Sequence, residues 1–250
     1  SLVKRCMRFI AVKFYSGIIL TNDDVLSWYV KRFRVKQKFL FFPIIQKDQD
    51  FRLLLENALP VSKILEDTYH LEGRQVLLFV GRLIDIKNLF FLLDALALVV
   101  NRYPKVILLF VGDGDQRVAL ERHAERNGLA DHVIFAGKKQ GEDLYACYNV
   151  GQIFILPSYY ERFGAVVNEA LLAGCYTLCS VVAGAACLIE PQKNGDLFDP
   201  ASKTYLAEKL AQSLKDCEGL KQISLKANKM CYSYDQYITS FFNQLNSIID

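Results

Sequence analysis

The stretch VLLFVGRLIDIKNLFFLLDALALVVNRYPKVILLFV, Val76–Val111, decides the fold. It opens and closes on unbroken apolar runs, Val76–Val80 and Val106–Val111. Neither run alternates with polar residues, so each reads as a strand covered on both faces, as in a parallel sheet. Between them Leu89, Leu92, Leu93, Leu96 and Val99 keep the i, i+3, i+4, i+7 spacing of an amphipathic helix. A strand, a helix and a second buried strand make a βαβ unit, whose ligands gather at the carboxyl ends of the strands.

The alternation continues outward. Val133–Ala136, Gln152–Leu156 and Tyr176–Val182 are further strand candidates, and 116–127, 141–149, 164–173 and 202–216 are helix candidates. On the N-terminal side, Gly17–Leu20 and Phe39–Ile45 read as strands, with helices over Val3–Phe14 and Asp24–Arg34. The reading is an α/β, doubly wound architecture. Residues 47–75 are polar and carry no strand run, which suggests an interdomain linker with a helical piece. Residues 201–250 read as C-terminal helices ending in the aromatic-rich YSYDQYITSFFNQL.

A 250-residue chain that is 52% hydrophobic and 23% charged has ample core material, which excludes disordered and collagen-like classes. Seven cysteines without paired CxxC spacing, beside only His70, His123 and His132, argue against a disulfide framework or a zinc site. Between Glu169 and Glu190 lie 20 uncharged residues, the length of a membrane span. That run is rich in small residues and contains Gly174 and Gly184, so it reads as a helix end, a turn and a buried strand. Charge is uneven. Residues 1–40 carry +7 and the remaining 210 residues −4, within a total of +3. Such a basic end suits an anionic partner, with membrane headgroups or a phosphorylated lipid ahead of nucleic acid, because no nucleic-acid module accompanies it.

The chemistry sits at the strand ends. After the Val76–Val80 strand come Gly81, Arg82 and, five residues beyond Arg82, Lys87 near the next helix start. Two cations at a helix N-terminus can clamp a pyrophosphate; taken alone, they are also ordinary surface cations. After Val106–Val111 come Gly112, Asp113, Gly114 and Asp115, where glycine permits a tight turn and close approach of a ligand. The Asp-x-Asp pairs, Asp113/Asp115 and Asp48/Asp50, read as helix-capping residues rather than as metal ligands. PSYYERFGAVVNEA, Pro157–Ala170, is the richest segment. Glu161 lies in the loop after a strand, and Glu169 sits in the following helix, roughly 8 Å along its axis. An acid at each end, with helix-start amides between, suits a ligand with a sugar at each end and phosphate in the middle.

In order and spacing, VGRLIDIKN, VGDGD, VIFAGKK, ILPSYYERFGAVVNEALLAG and QKNGDLFDP resemble the retaining glycosyltransferases of the GT-B fold, family 4 in particular. The resemblance spans about 76–200. It implies a Rossmann-like donor domain over 76–200, with 1–46 as the tail of an incomplete, acceptor-binding Rossmann-like domain. It also implies roles. Arg82 and Lys87 hold the diphosphate, with Gly81, Gly112 and Gly114 beside them. Glu161 meets the transferred sugar, aided by amides at Phe163, Gly164 and Ala165. Glu169 holds the ribose hydroxyls, and the turn at Gly137, Lys138 and Lys139 faces the nucleobase. Three departures stand out: Asn88 in place of the commoner glycine, the Cys175-Tyr176 pair where proline is frequent, and an apolar loop at Val181–Ala185.

The function implied is transfer of a hexose from a UDP- or GDP-sugar with retention, without a metal or other cofactor, in cell-surface polysaccharide or glycolipid synthesis. The acceptor would be a sugar or lipid-linked molecule, met at the cytoplasmic or inner membrane face. The chain starts at Ser1, and the expectation is a cut that leaves the acceptor domain, or a partner chain, to be supplied from elsewhere. A nucleotide-sugar-binding subunit that is inactive alone is the alternative.

Overall fold

In the computed structural model, residues 17–21, 26, 30–31, 38–217, 219 and 223–249 are described. The helices expected over Val3–Phe14 and Asp24–Arg34 fall largely outside them. The chain divides into two compact units, one of residues 1–47 with 232–250 and one of residues 48–231.

In the first unit β1 (Gly17–Leu20) pairs in parallel with β2 (Lys38–Phe41). The second strand stops short of the expected Ile45. Phe42 still donates to Leu20 O at 2.9 Å, but Pro43 has no N–H with which to continue the ladder. The Phe42 ring instead packs edge-on against Tyr234 and Phe241 of the last helix, Tyr234–Ile249.

The second unit begins where a linker was expected. Residues 47–75 hold two helices, α1 (Asp48–Asn57) and α2 (Leu59–Thr68). Their buried residues are spaced four and three apart, Phe51 with Leu55 and Ser62 with Leu65, inside an otherwise polar sequence that hides the pattern. The chain then runs β3 (Gln75–Val80), α3 (Leu89–Val99), β4 (Val106–Val111), α4 (Arg117–Arg126), β5 (Val133–Gly137), α5 (Glu142–Val150) and β6 (Ile153–Leu156). It closes with α6 (Val166–Leu172), β7 (Tyr176–Ser180), β8 (Gly195–Phe198) and α7 (Lys203–Lys215). The final helix of the chain, α8 (Tyr234–Ile249), belongs to the first unit, so 201–250 is shared between the two.

All six strands of the second unit are parallel, in the order β5-β4-β3-β6-β7-β8. Side chains alternate across the sheet. Leu77, Phe79, Leu108, Phe110, Ile153 and Ile155 join Leu92, Leu93 and Leu96 of α3 and Leu206, Leu210 and Leu214 of α7 in one core cluster. The intervening Phe154 instead meets Tyr148 of α5, and Leu78 lies against Gly151. The α3 helix buries the five residues its periodicity picks out. At β7 the strand ends at Ser180 rather than Val182, because Val181 N–H closes the last bond to Phe198 O and the chain turns there.

The chain runs outward from β3 to β5, then jumps back to β6 beside β3. The switch point therefore lies between β3 and β6, and the loops leaving these two strands face one crevice.

Candidate active site

The loop after β3 forms a single 3-10 turn, Asp85–Lys87, and reaches α3 through Asn88 in the left-handed conformation, φ 57°. Asparagine tolerates that conformation much as glycine does, and its side chain adds a bond to Pro200 O at 3.0 Å. The loop after β6 is fastened to this turn three times. Tyr159 N–H donates to Ile86 O at 3.2 Å, Tyr159 hydroxyl donates to the Asp85 carboxylate, and Lys87 ammonium pairs with Glu161. The last pair is shielded, with side chains 13% and 17% exposed, so its Coulomb attraction is screened far less than that of a surface pair. Glu161 also forms a parallel bridge with Ala183, and Ala185 N–H donates to Phe163 O at 2.7 Å. The apolar Val181–Ala185 loop is thus bonded along the Glu161–Phe163 backbone.

Arg82 is exposed and lines a cavity of about 420 Å³ together with Gly81, Gly112, Asp113, Lys138 and Lys139. The two cations read as one clamp are therefore held differently. Arg82 faces open space, whereas Lys87 is already engaged by a carboxylate.

The glycines have a reason beyond ligand approach. A Cβ on Gly112 would stand 1.8 Å from Gly81 O, and one on Gly114 would stand 2.2 Å from Leu83 O. The turns after β3 and β4 are pressed together, with Gly81 N–H on Val111 O, Leu83 N–H on Asp113 O and Gln116 N–H on Leu83 O. Gly164, at φ 93°, leaves room for Leu156 and the Glu161 side chain. The helix that follows starts at Val166, two residues later than expected, which puts Glu169 in its first turn.

Glu169 has a partner that the motifs do not disclose. Tyr148 hydroxyl donates to Glu169 Oε2 at 2.6 Å. The Tyr148 ring is completely buried, among Phe51 and Phe154, and burial, reinforced by the neighbouring carboxylate, pushes its phenol well above the ordinary range. The one sequence signal for it is a tyrosine that follows Ala146 and Cys147 on a helix and must place its hydroxyl somewhere.

The helices bearing this pair are tied together at their C-terminal ends. Lys226 ammonium caps the end of α5 by donating to Tyr148 O at 3.1 Å, to Asn149 O at 2.9 Å and to Gly151 O. Arg52 bonds Leu172 O at the end of α6 at 2.9 Å and Lys226 O at 3.0 Å. Gly174, at φ 81°, admits this segment, since a Cβ there would stand 2.5 Å from Ala227 O. Cys175 completes the knot, its Sγ donating to Gly151 O at 3.2 Å.

Asp48 and Asp50 lie in the first turn of α1, a helix-start position that favours acids through the dipole. Among the described residues, no group of three His, Cys, Asp or Glu side chains is placed to hold a metal ion. Nor is any described helix long and apolar enough to cross a membrane.

Residues 62–230 match the family model of glycosyl transferases group 1. The chain belongs to this family. It is 30% identical over 161 residues to an uncharacterized glycosyltransferase of Methanocaldococcus jannaschii, covering 64% of this chain and 41% of that one. It is also 30% identical over 206 residues to mannosylfructose-phosphate synthase of Agrobacterium fabrum, covering 79% and 45% respectively. The fold matches that of HepE from Anabaena, a structure in complex with UDP, with a TM-score of 0.75 at 22% identity over 96% of this chain and 65% of that chain. The α/β parallel-sheet architecture expected from the sequence is thus the GT-B type. The chain spans 41%, 40% and 34% of the lengths of three of the curated relatives it matches.

Proposed function

We propose that this glycosyltransferase chain is the donor half of a retaining hexosyltransferase, binding a nucleoside-diphosphate sugar across the crevice between β3 and β6. The observation that carries the reading is the Lys87–Glu161 ion pair at the switch point, beside the Arg82-lined cavity. Glu161, tied to the Lys87 ammonium, is fixed where it can accept hydroxyl hydrogen bonds from the transferred sugar. Lys87 is in turn fixed as a point charge for the diphosphate, and Arg82 supplies a bidentate fork.

During transfer the bond from the anomeric carbon to the diphosphate oxygen breaks, and negative charge gathers on that oxygen. Arg82 and Lys87 stabilise it from preorganised positions, which removes the need for a divalent cation. The acceptor hydroxyl attacks the same face of the sugar, and its proton passes to the departing diphosphate. At the other end of the donor, Glu169 accepts from the ribose hydroxyls, and the Gly137–Lys139 turn meets the base.

UDP is the favoured nucleotide, because HepE, which shares the fold, was crystallised with it. The test is calorimetric titration of UDP, GDP and ADP in EDTA and in Mg²⁺. We expect one of the three to bind alike in both media; binding of none would refute the donor site. The +7 charge of residues 1–40 supports a lipid-linked or membrane-proximal acceptor in polysaccharide or glycolipid synthesis at the cytoplasmic membrane face. Equal recruitment to anionic and neutral liposomes would remove that extension.

A further inference from the structure

A buried tyrosine hydroxyl must find an acceptor, or it loses the hydrogen bonds that water gave it. Tyr148 lies on α5, one residue beyond Cys147 and directly before the Lys226-capped helix end. Its ring is held edge-on by Phe51, with centroids 6.3 Å apart, and tilted against Phe154 at 6.4 Å. With the ring fixed on two sides and the backbone carbonyl held by Lys226, the hydroxyl has one direction to point. That direction ends on Glu169 Oε2.

The contact has the 2.6 Å length of a charge-assisted O–H···O⁻ bond. Glu169 is half-buried, and no hydrogen bond from the described residues reaches its other oxygen, Oε1. The carboxylate is therefore anchored by one oxygen, and its other oxygen takes no hydrogen bond from the described residues. A glutamate left to itself samples several rotamers, and each must be given up when a ligand binds. Anchoring from behind removes that cost before the ligand arrives.

We infer that Tyr148 is a positioning residue for the nucleoside end of the donor site: by holding Glu169 Oε2, it presents Oε1 to the vicinal hydroxyls of a ribose. This rests on the reading of Glu169 as the ribose-binding acid. Tyr148 touches no substrate and acts through the carboxylate alone. The consequence is selectivity. A fixed acceptor gains a bond from a ribose hydroxyl that a deoxyribose cannot supply, whereas a wandering one gains less from either.

Calorimetric titration of the 250-residue chain with UDP and 2′-deoxy-UDP reads this out. The unaltered chain should prefer UDP. Tyr148→Phe, which keeps the ring and removes only the hydroxyl, should weaken UDP binding about tenfold and leave 2′-deoxy-UDP nearly unchanged, so that the preference collapses. A general loss of packing would weaken both nucleotides together, and that outcome, or a retained preference, overturns the inference. Glu169→Asp shortens the ribose-binding acid itself and draws it away from Tyr148, so it reports on the acid and serves as the background for a double variant. Adding Tyr148→Phe to it should change nothing further, because the bond is already broken. Failure of the unaltered chain to bind either nucleotide would refute the donor-site reading itself, a result separate from loss of selectivity.

Discussion

Lys87 and Glu161 are 74 positions apart in the chain and form an ion pair where the loops leaving β3 and β6 meet. Each residue alone has an ordinary explanation, as a surface cation or a helix-start acid. Joined and shielded from water, they tie together the two loops that leave the strands at the switch point. The pair exists because the chain jumps from β5 to β6 and makes β6 the neighbour of β3.

The pressed turns after β3 and β4 predict unequal costs for equal substitutions. Gly112→Ala would drive a Cβ to 1.8 Å from Gly81 O, a backbone atom with nowhere to go. It should destabilise by more than about 3 kcal/mol, in the range of severe overpacking. Gly128→Ala has open space around the new Cβ and carries only the strain of φ 68°, about 1–2 kcal/mol. Thermal or urea melts of the two variants check the ordering, and comparable losses would contradict it.

Lys226 is predicted to hold the helix ends in place rather than to serve solubility. Lys226→Met keeps much of the aliphatic stem but takes the ammonium from the carbonyls of Tyr148, Asn149 and Gly151, leaving Gly151 O with the Cys175 thiol as a weaker donor. The expected cost is about 2–3 kcal/mol. Amide exchange should quicken along α5 and α6 while α3 and α7 remain protected. A loss spread evenly over all four helices would speak against a local clamp.

Thiol chemistry gives a pH test. Burial pushes the Cys147 thiol up to about 12, so the native chain keeps that proton where an unfolded thiol has already lost it. The folded state thus binds more protons across that interval, and the sign of the linkage makes its stability fall as pH rises through it. At mildly alkaline pH, iodoacetamide should modify the exposed Cys187 and spare the buried Cys147, Cys175 and Cys179 until the chain is unfolded. Mass mapping of native and denatured samples distinguishes the two, and early labelling of Cys147 would contradict its burial.

Much of this was legible in the sequence, for identifiable reasons. The strands β3 and β4 are buried on both faces, so their apolar runs are unbroken, and α3 has a clear stripe. The β8 strand gives no apolar run, because it is four residues long, GDLF, with Asp196 inside it. That acid is accommodated by Tyr176 hydroxyl at 2.9 Å and Lys209 at 3.4 Å, partners from elsewhere in the chain. Helices α1 and α2 read in sequence as a linker with a helical piece because each buries few residues, and Asn149, which bonds Leu55 O and Ser62 Oγ, lies far from them in sequence. The site shows the same limit. Motif spacing picked out Arg82, Lys87, Glu161 and Glu169, but not Lys87's engagement with Glu161 or Tyr148's with Glu169. Those depend on which strands become neighbours.

The central claim is that Glu161 serves the sugar end of the donor and Glu169 the nucleoside end. Calorimetry of UDP and UDP-glucose with Glu161→Gln and Glu169→Ala tests it most directly. Glu161→Gln should retain UDP binding, since Arg82 and Lys87 both remain for the diphosphate, and should lose the added affinity of the attached sugar. Glu169→Ala should weaken both ligands alike, by about tenfold. Equal effects of the two substitutions on the two ligands would contradict the account.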